Sequence, residues 1–256
     1  MSAEKVKWRL AIVDTETTGL SEEDQIVELA IVSLTPGDPS WRALPQWSTL
    51  IRPSCPVTVG ARATHHIGDD ELREAPSVPA LLLRRGLPEL GHQGESDFPN
   101  LPAVDDVIFV AHNAGFDRRM LVQSGVHPDL LPPRTICTWR ASLHLYQDAP
   151  SHSNQVLRYF LGVDVPLCGL APHRALADAL TTAAILERML ETETVERLLE
   201  LTTLPVLLRT VRFGQHRGKL WEELDVGMLR WVLKRDFGED EKFTASHWLM
   251  KKEGRT

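Results

Sequence analysis

The chain has 256 residues, 43% of them apolar and 25% charged, with a net charge of −7. That mix can fill the core of one large domain, or one domain plus a small appendage, and it excludes disorder, collagen and coiled coil. No apolar run approaches the roughly 18 residues of a membrane span, and Met1–Lys7 is charged, with no secretory h-region.

Three scattered cysteines (Cys55, Cys137, Cys168) without a CxxC pair argue for a reducing, cytoplasmic setting and against a disulfide frame or a zinc cluster. The charge is uneven. Residues 205–256 carry eleven Lys and Arg against eight Asp and Glu, a net +3, which leaves −10 on the first 204. An acidic protein can still grip phosphates when its carboxylates hold cations, so composition leaves the partner open.

In chain order, Trp8–Glu16 reads as a strand with Leu10, Ile12, Asp14 and Glu16 on one face and Ala11 and Val13 on the other. Apolar side chains on both faces place it centrally in a sheet. Gln25–Leu34 and Leu44–Ile51 read as the next strands of an antiparallel meander, and helices are expected over Val57–His65 and Val78–Arg85. Gly86–Pro102 is rich in Gly and Pro and reads as a surface loop. The all-apolar strand Val107–Ala111 leads into a helix from Ala114 to Ser124, closed by Gly125. A strand at Arg134–Thr138 and helices at Trp139–Tyr146 and Asn154–Leu161 follow. After Pro172, apolar residues from Leu176 to Leu190 recur with the helical period. Glu193–Leu201 continues as a helical linker, Phe213–Lys219 is a basic turn, and Leu229–Lys234 a short helix. Strands first, then strands alternating with helices, is an α/β plan with a mixed sheet.

Three segments carry chemistry. Asp14-Thr15-Glu16 ends the first strand with two carboxylates pointing the same way, before Thr17-Thr18-Gly19-Leu20 turn the chain. His112-Asn113-Ala114-Gly115-Phe116-Asp117 follows the apolar strand and puts Asp117 in the first turn of a helix. His173-Arg174-Ala175-Leu176-Ala177-Asp178 puts His173 on the loop after Pro172, able to reach over a site floored by Asp178. Singly these are explained by a solvated strand end, a helix-dipole Asp and a surface His. Together, four carboxylates bordering one sheet supply the oxygen-rich site that hard divalent cations require. Two cations roughly 3.5–4 Å apart stabilise both the attacking and the leaving oxygen in phosphoryl transfer. A histidine is the usual base for deprotonating water at neutral pH.

The order DTETTGL, HNAGFD, HRALAD resembles the three motifs of the DnaQ-like 3′→5′ exonucleases of the DEDDh branch, over roughly Val6–Glu191. QIVELA at Gln25–Ala30, Ile51–Ile67 and Ser151–Gly162 resemble further family segments. One departure is His66, where the family commonly has Gly, which counts against placing His65 near the site. The resemblance implies a ribonuclease H-like mixed five-stranded sheet flanked by helices, spanning residues 6–191, then a linker (192–204) and a small C-terminal module (205–256). It implies two Mg²⁺ or Mn²⁺ ions per site. Asp14 would bridge them, Glu16 and Asp178 would bind the catalytic one, and Asp117 would support the second. His173 would activate the attacking water. Thr17 and Thr18, through their backbone, together with Leu20 as an apolar wedge and Asn113 and Phe116, resemble the residues that hold the 3′-terminal nucleotide.

The tail from Arg212 resembles the C-terminal module of exodeoxyribonuclease X-like proteins. Its Arg217 and Lys219 read as phosphate contacts, and Trp221 and Trp231 as core. The function implied is release of nucleoside 5′-monophosphates from a nucleic-acid 3′ end, DNA favoured over RNA. The alternatives are an RNA-trimming enzyme and a catalytically weak binding module on the same scaffold. Oligomeric state is not legible.

Overall fold

The computed structural model describes residues 8–42, 47–78, 107–167 and 169–254. The expected helix at Val78–Arg85 lies outside these residues from position 79 on, as do the expected loop Gly86–Pro102, the start of the third strand and Cys168.

Strand β1 (Arg9–Thr17) is central. It pairs antiparallel with β2 (Ile26–Leu34) and parallel with β4 (Val107–Ala111). β3 (Trp47–Leu50) adds antiparallel to β2 and β5 (Arg134–Cys137) parallel to β4, giving the order β3-β2-β1-β4-β5. This is the expected mixed five-stranded sheet. The alternation along β1 divides the core in two. Leu10 and Ile12 pack under a 16-residue helix at Ala175–Leu190, whose Ala179, Ala183 and Leu186 are buried against them. Small residues on that helix let its axis approach the sheet closely. On the other face Val13 and Phe109 meet Met120 and Leu121 of the helix Ala114–Gln123. Each fully buried Ile or Leu contributes about 1.5–3 kcal/mol, so both layers hold β1 firmly.

Numbered in chain order, the helices are α1 (Val59–His65), α2 (Asp69–Arg73), α3 (Ala114–Gln123), α4 (Thr138–Leu145), α5 (Asn154–Phe160), α6 (Ala175–Leu190), α7 (Val195–Thr203), α8 (Val226–Lys234) and α9 (Glu239–Lys252). Helix α7, expected as a linker, contributes Val195, Leu198 and Leu201 to the core under the sheet. Helix α9 was not expected. Its signals were Glu239, Asp240 and Glu241 in the first turn and Lys251 and Lys252 in the last, which complement the helix dipole. No helix among the described residues is long and apolar enough to cross a membrane.

Residues 205–254 build a third cluster around Trp221, Leu229, Val232 and Ala245, into which α4 inserts Leu143. Trp221 is wholly buried and donates from Nε1 to the Thr210 carbonyl at 3.1 Å, and Trp231 packs on Phe237 and Phe213. Arg140 of α4 forms a two-pronged ion pair with Asp240 of α9, both largely buried, and also donates to the Leu204 carbonyl at 2.7 Å. The module is thus seated on α4 by both apolar and charged contacts.

Candidate active site

Asp14 and Glu16 project from the end of β1 on the face that α6 covers, and Asp178 rises from the first turn of α6. Carboxylate oxygens of these three residues all lie within 4.8 Å of one another. Asp117, buried in the first turn of α3, lies outside this 4.8 Å group, and its charge acts on Asp14 and Glu16. Thr15 Oγ1 donates to Asp117 Oδ1 at 2.8 Å and fixes its orientation. Asp178 accepts from Gln155 Nε2 at 3.0 Å and from the His173 backbone N–H at 3.1 Å. That second bond pins a residue in the left-handed region (φ 60°) and leaves the His173 ring largely exposed, its Nδ1 3.9 Å from Asp178 Oδ2. His173 therefore overhangs the carboxylates from the entering loop, as its place after Pro172 led one to expect.

These anions repel. Burial holds Asp14 well above the usual carboxylate range, and Asp117, Asp178, Glu16 and Glu28 add to it in that order. Burial pushes Glu16 up to about 8, reinforced by Asp178, Glu28 and Asp117 and opposed by Arg174. Burial pushes Asp117 up to about 7 against the lowering effect of the Thr15 hydrogen bond. Asp178 is raised by burial as well, with Gln155 and His173 working against it.

The Arg174 guanidinium relieves Glu16 only in part. Glu28, directly opposite Glu16 in the β1–β2 register, is buried and takes Arg174 Nε at 3.0 Å, Arg174 Nη2 at 2.8 Å and the Ala175 N–H at 2.9 Å. Arg174 is thus committed to Glu28, and that pair anchors the N-terminus of α6. Four converging carboxylates without a cation of their own are a donor set that fits hard divalent ions.

The turn after β1 is locked by Asp24, which sequence reasoning did not single out. Thr18 Oγ1 donates to Asp24 Oδ1 at 2.6 Å and the Ser21 N–H to Asp24 Oδ2 at 2.7 Å. A Cβ at Gly19 would fall 2.5 Å from Asp24 Oδ2, so only glycine permits this approach. The expectation that Thr18 touches a nucleotide needs correcting. It is wholly buried, its N–H donates to the Gln25 carbonyl at 2.8 Å, its carbonyl accepts from the Thr58 N–H at 2.9 Å, and its hydroxyl is held by Asp24. Thr18 holds the turn. Thr17 is buried too, with its hydroxyl donating to the Gly19 carbonyl at 2.7 Å.

Leu20, at the crest of this turn, is 76% exposed and so is no core residue. Asn113 is exposed, sits in the left-handed region (φ 72°) at the N-cap of α3 and makes no capping bond with its side chain. Phe116 is half-buried at the edge of the second core, with the Arg119 guanidinium 5.4 Å from its ring centre.

His66 adopts φ 59°, a left-handed helix cap that glycine reaches at no steric cost. The departure at this position leaves the backbone geometry intact. His65 is buried. Its Nδ1 accepts from the Ile67 N–H at 3.0 Å, so Nε2 carries the proton, and Nε2 has no hydrogen-bond partner. Burial lowers the basicity of this ring, with the Thr17 backbone and Glu28 pulling the other way.

Residues 11–86 match the RNase T exonuclease family model. Exodeoxyribonuclease 10 of Escherichia coli (strain K12) is 31% identical over 249 residues, an alignment that takes in 94% of this chain and 98% of the relative. The chain belongs to the DnaQ-like 3′→5′ exonucleases. The solved structure of exonuclease X in complex with 5′ overhanging duplex DNA superposes on this DnaQ-like chain with a TM-score of 0.57 at 30% identity, covering 75% of this chain and 99% of that one. The nuclease domain of 3′hExo, a DEDDh family member bound to rAMP, shares the fold at 18% identity and a TM-score of 0.54, over 74% of this chain and 94% of that one. Sequence reasoning about this DnaQ-like site missed Thr15 and Gln155, which orient two of its acids, and Asp24 and Glu28, which hold the turn after β1 and the start of α6. Their only signal in the sequence was polarity at positions otherwise buried.

Proposed function

We propose that this exonuclease releases nucleoside 5′-monophosphates from the 3′ end of DNA, with Asp14, Glu16, Asp117 and Asp178 holding a pair of Mg²⁺ or Mn²⁺ ions and His173 acting as general base. The observation that carries this is the cluster of Asp14, Glu16 and Asp178, charge-coupled to Asp117, beside an exposed histidine. Bound there, the ions would supply charge stabilisation to the attacking and leaving oxygens of the scissile phosphate. The chain's own part is positional. Thr15 and Gln155 aim two of the acids, the Glu28–Arg174 pair fixes the start of α6, and the His173–Asp178 bond sets the base beside the acids. His173 takes a proton from water on the open side of the site. Leu20 stands where an apolar side chain can lie against the terminal base, and Asn113 and the Phe116 edge face the same end of the sheet.

DNA is favoured because the relative that aligns over nearly the whole chain is an exodeoxyribonuclease and the structural neighbour at 30% identity was solved with DNA. The test is digestion of matched DNA and RNA oligomers labelled separately at each end, with Mg²⁺ or Mn²⁺. A ladder shortening from the 3′ end of DNA is expected. Loss of the 5′ label first, or equal or faster digestion of RNA, would overturn the polarity or the substrate.

A further inference from the structure

Beside the carboxylate pocket lies an open cleft of about 870 Å³ between the sheet domain and the C-terminal module. Its volume is in the upper part of the ~300–1,000 Å³ range of ligand clefts. One wall includes Asn113, four residues before Asp117, together with Gln147 and His152, and the other is the turn bearing Thr210, Arg212 and Arg217. Among the described residues no Asp or Glu lines it.

The basic wall is rigid. The Val211 N–H donates to the Lys219 carbonyl at 2.9 Å and the Gly218 N–H to the Val211 carbonyl at 2.8 Å, while Thr210 bridges Leu220 and is gripped by the buried Trp221. Gly218, at φ 87°, allows the chain to double back here. Arg217 Nε donates to the Arg212 carbonyl at 3.1 Å, which lays one guanidinium along the turn. The opposite wall is held by His112, whose Nε2 meets the His152 carbonyl at 2.7 Å. Arg209, on the same segment, is paired with Asp148. Among the described residues Arg212, Arg217 and Lys219 have no carboxylate partner, and all three are exposed.

We propose that this cleft binds the sugar–phosphate backbone of the substrate strand upstream of the bond being cut, with Arg212 and Arg217 contacting its phosphates. It rests on the exonuclease reading above and names the part of the molecule that holds the strand. A preformed turn with unpaired guanidiniums is the chemistry that phosphates recruit, since Arg donors match phosphate oxygens in pairs and are already ordered. Net charge agrees: the acidic domain would repel a long strand, and the +3 module supplies the opposite field where the strand leaves the pocket. The same structure removes base stacking on Trp221 from consideration, because that ring is wholly buried.

The experiment is fluorescence anisotropy of the full chain with dT4 and dT16 in EDTA, across a salt series, for wild type, Arg212→Ala/Arg217→Ala and Arg212→Lys/Arg217→Lys. Wild type is expected to bind dT16 more tightly than dT4. The alanine pair should weaken dT16 binding about tenfold and flatten the salt slope by about 1.4, at roughly 0.7 per lost phosphate contact on single strands. The lysine pair should keep most of the slope. Arg188→Ala/Arg197→Ala, which removes the same charge from α6 and α7, should bind dT16 as wild type does. Thermal melting of each variant separates misfolding from lost contacts, and a folded lysine pair with the wild-type slope serves where the alanine pair is unstable. Wild-type affinity and slope in a folded alanine pair, or no preference of wild type for the longer strand, would overturn the inference. If dT16 binds as expected but is not shortened when Mg²⁺ or Mn²⁺ replaces EDTA, the nuclease proposal falls and the strand site stands.

Discussion

The end of β1 and the turn at Arg212–Lys219 are opposites. The first gathers four carboxylates, partly or wholly buried, and gives them no cation. The second gathers three exposed basic side chains and gives them no anion. Elsewhere the molecule pairs its buried charges carefully, as in Glu28–Arg174 and Arg140–Asp240. Leaving a buried charge without a partner is costly, which makes the pocket a place suited to a cation from outside the chain, whereas the exposed turn leaves its cations in solvent at little cost. Depth separates the two regions. A small ion reaches the pocket, whereas the turn can meet an extended polymer.

The pocket can be tested hardest. Asp14→Asn should cut turnover by at least about 10³-fold, some 4 kcal/mol of transition-state stabilisation, because Asp14 is charge-coupled to each of Glu16, Asp117 and Asp178. Its melting temperature in EDTA should be no lower than that of wild type, and near-wild-type cleavage would break the assignment. His173→Ala should cost about 10²–10⁴-fold in kcat with little change in KM, as for loss of a general base. A matching loss confined to KM would make His173 a substrate contact.

The paired acid gives a contrasting outcome. Arg174→Met strands Glu28 and should destabilise the fold by about 2–3 kcal/mol in urea titration, below the ~3–5 kcal/mol of a fully buried pair because Arg174 is about a third exposed. No change in stability would mean that Glu28 is not held as the contacts indicate.

The unpaired acids make a pH prediction. Folded Glu16 keeps its proton to about pH 8 and Asp117 to about pH 7, whereas in the unfolded chain such groups ionise near ~4. The folded state therefore binds more protons between about pH 4 and 8, and without cations it loses stability as the pH rises through that window. Glu16→Gln should raise the melting temperature in EDTA more at pH 8.5 than at pH 5, by on the order of 2–4 °C for each kcal/mol relieved. Added Mg²⁺ should help wild type more at the higher pH, where fewer protons must be displaced. An equal gain at both pH values would show that the acids do not repel. The smallest effect belongs to the exposed crest of the turn, where Leu20→Ala should raise KM for an oligonucleotide about 3- to 5-fold, a loss of roughly 0.6–1 kcal/mol of apolar contact, and leave melting unchanged.

Much of this was legible in the sequence for a physical reason. The strand period put Asp14 and Glu16 on one face, and a helix start put Asp117 and Asp178 in first turns, so local rules alone located four acids at element ends. The acids' keepers were not legible. Thr15 and Gln155 matter through partners 102 and 23 residues away, and nothing in a local pattern announces such a distance. Thr18 entered through the resemblance of its backbone segment, whereas the partners of that backbone are decided by the turn to Gln25 and the segment at Thr58. His65 was set aside on a neighbour's identity, although His66 adopts the backbone conformation that glycine would have taken.

By itself the sequence determined the strands, most of the helices (α2 and α9 excepted) and the chemistry at their ends, because periodicity and capping are read within a few residues. Tertiary structure alone decided which charges found partners. That Arg174 serves Glu28 and not the pocket, that Trp221 is sealed inside the module, and that Arg212 lies across a cleft from Asn113 all depend on which surfaces meet when the layers pack, and desolvation and pairing take their values only there.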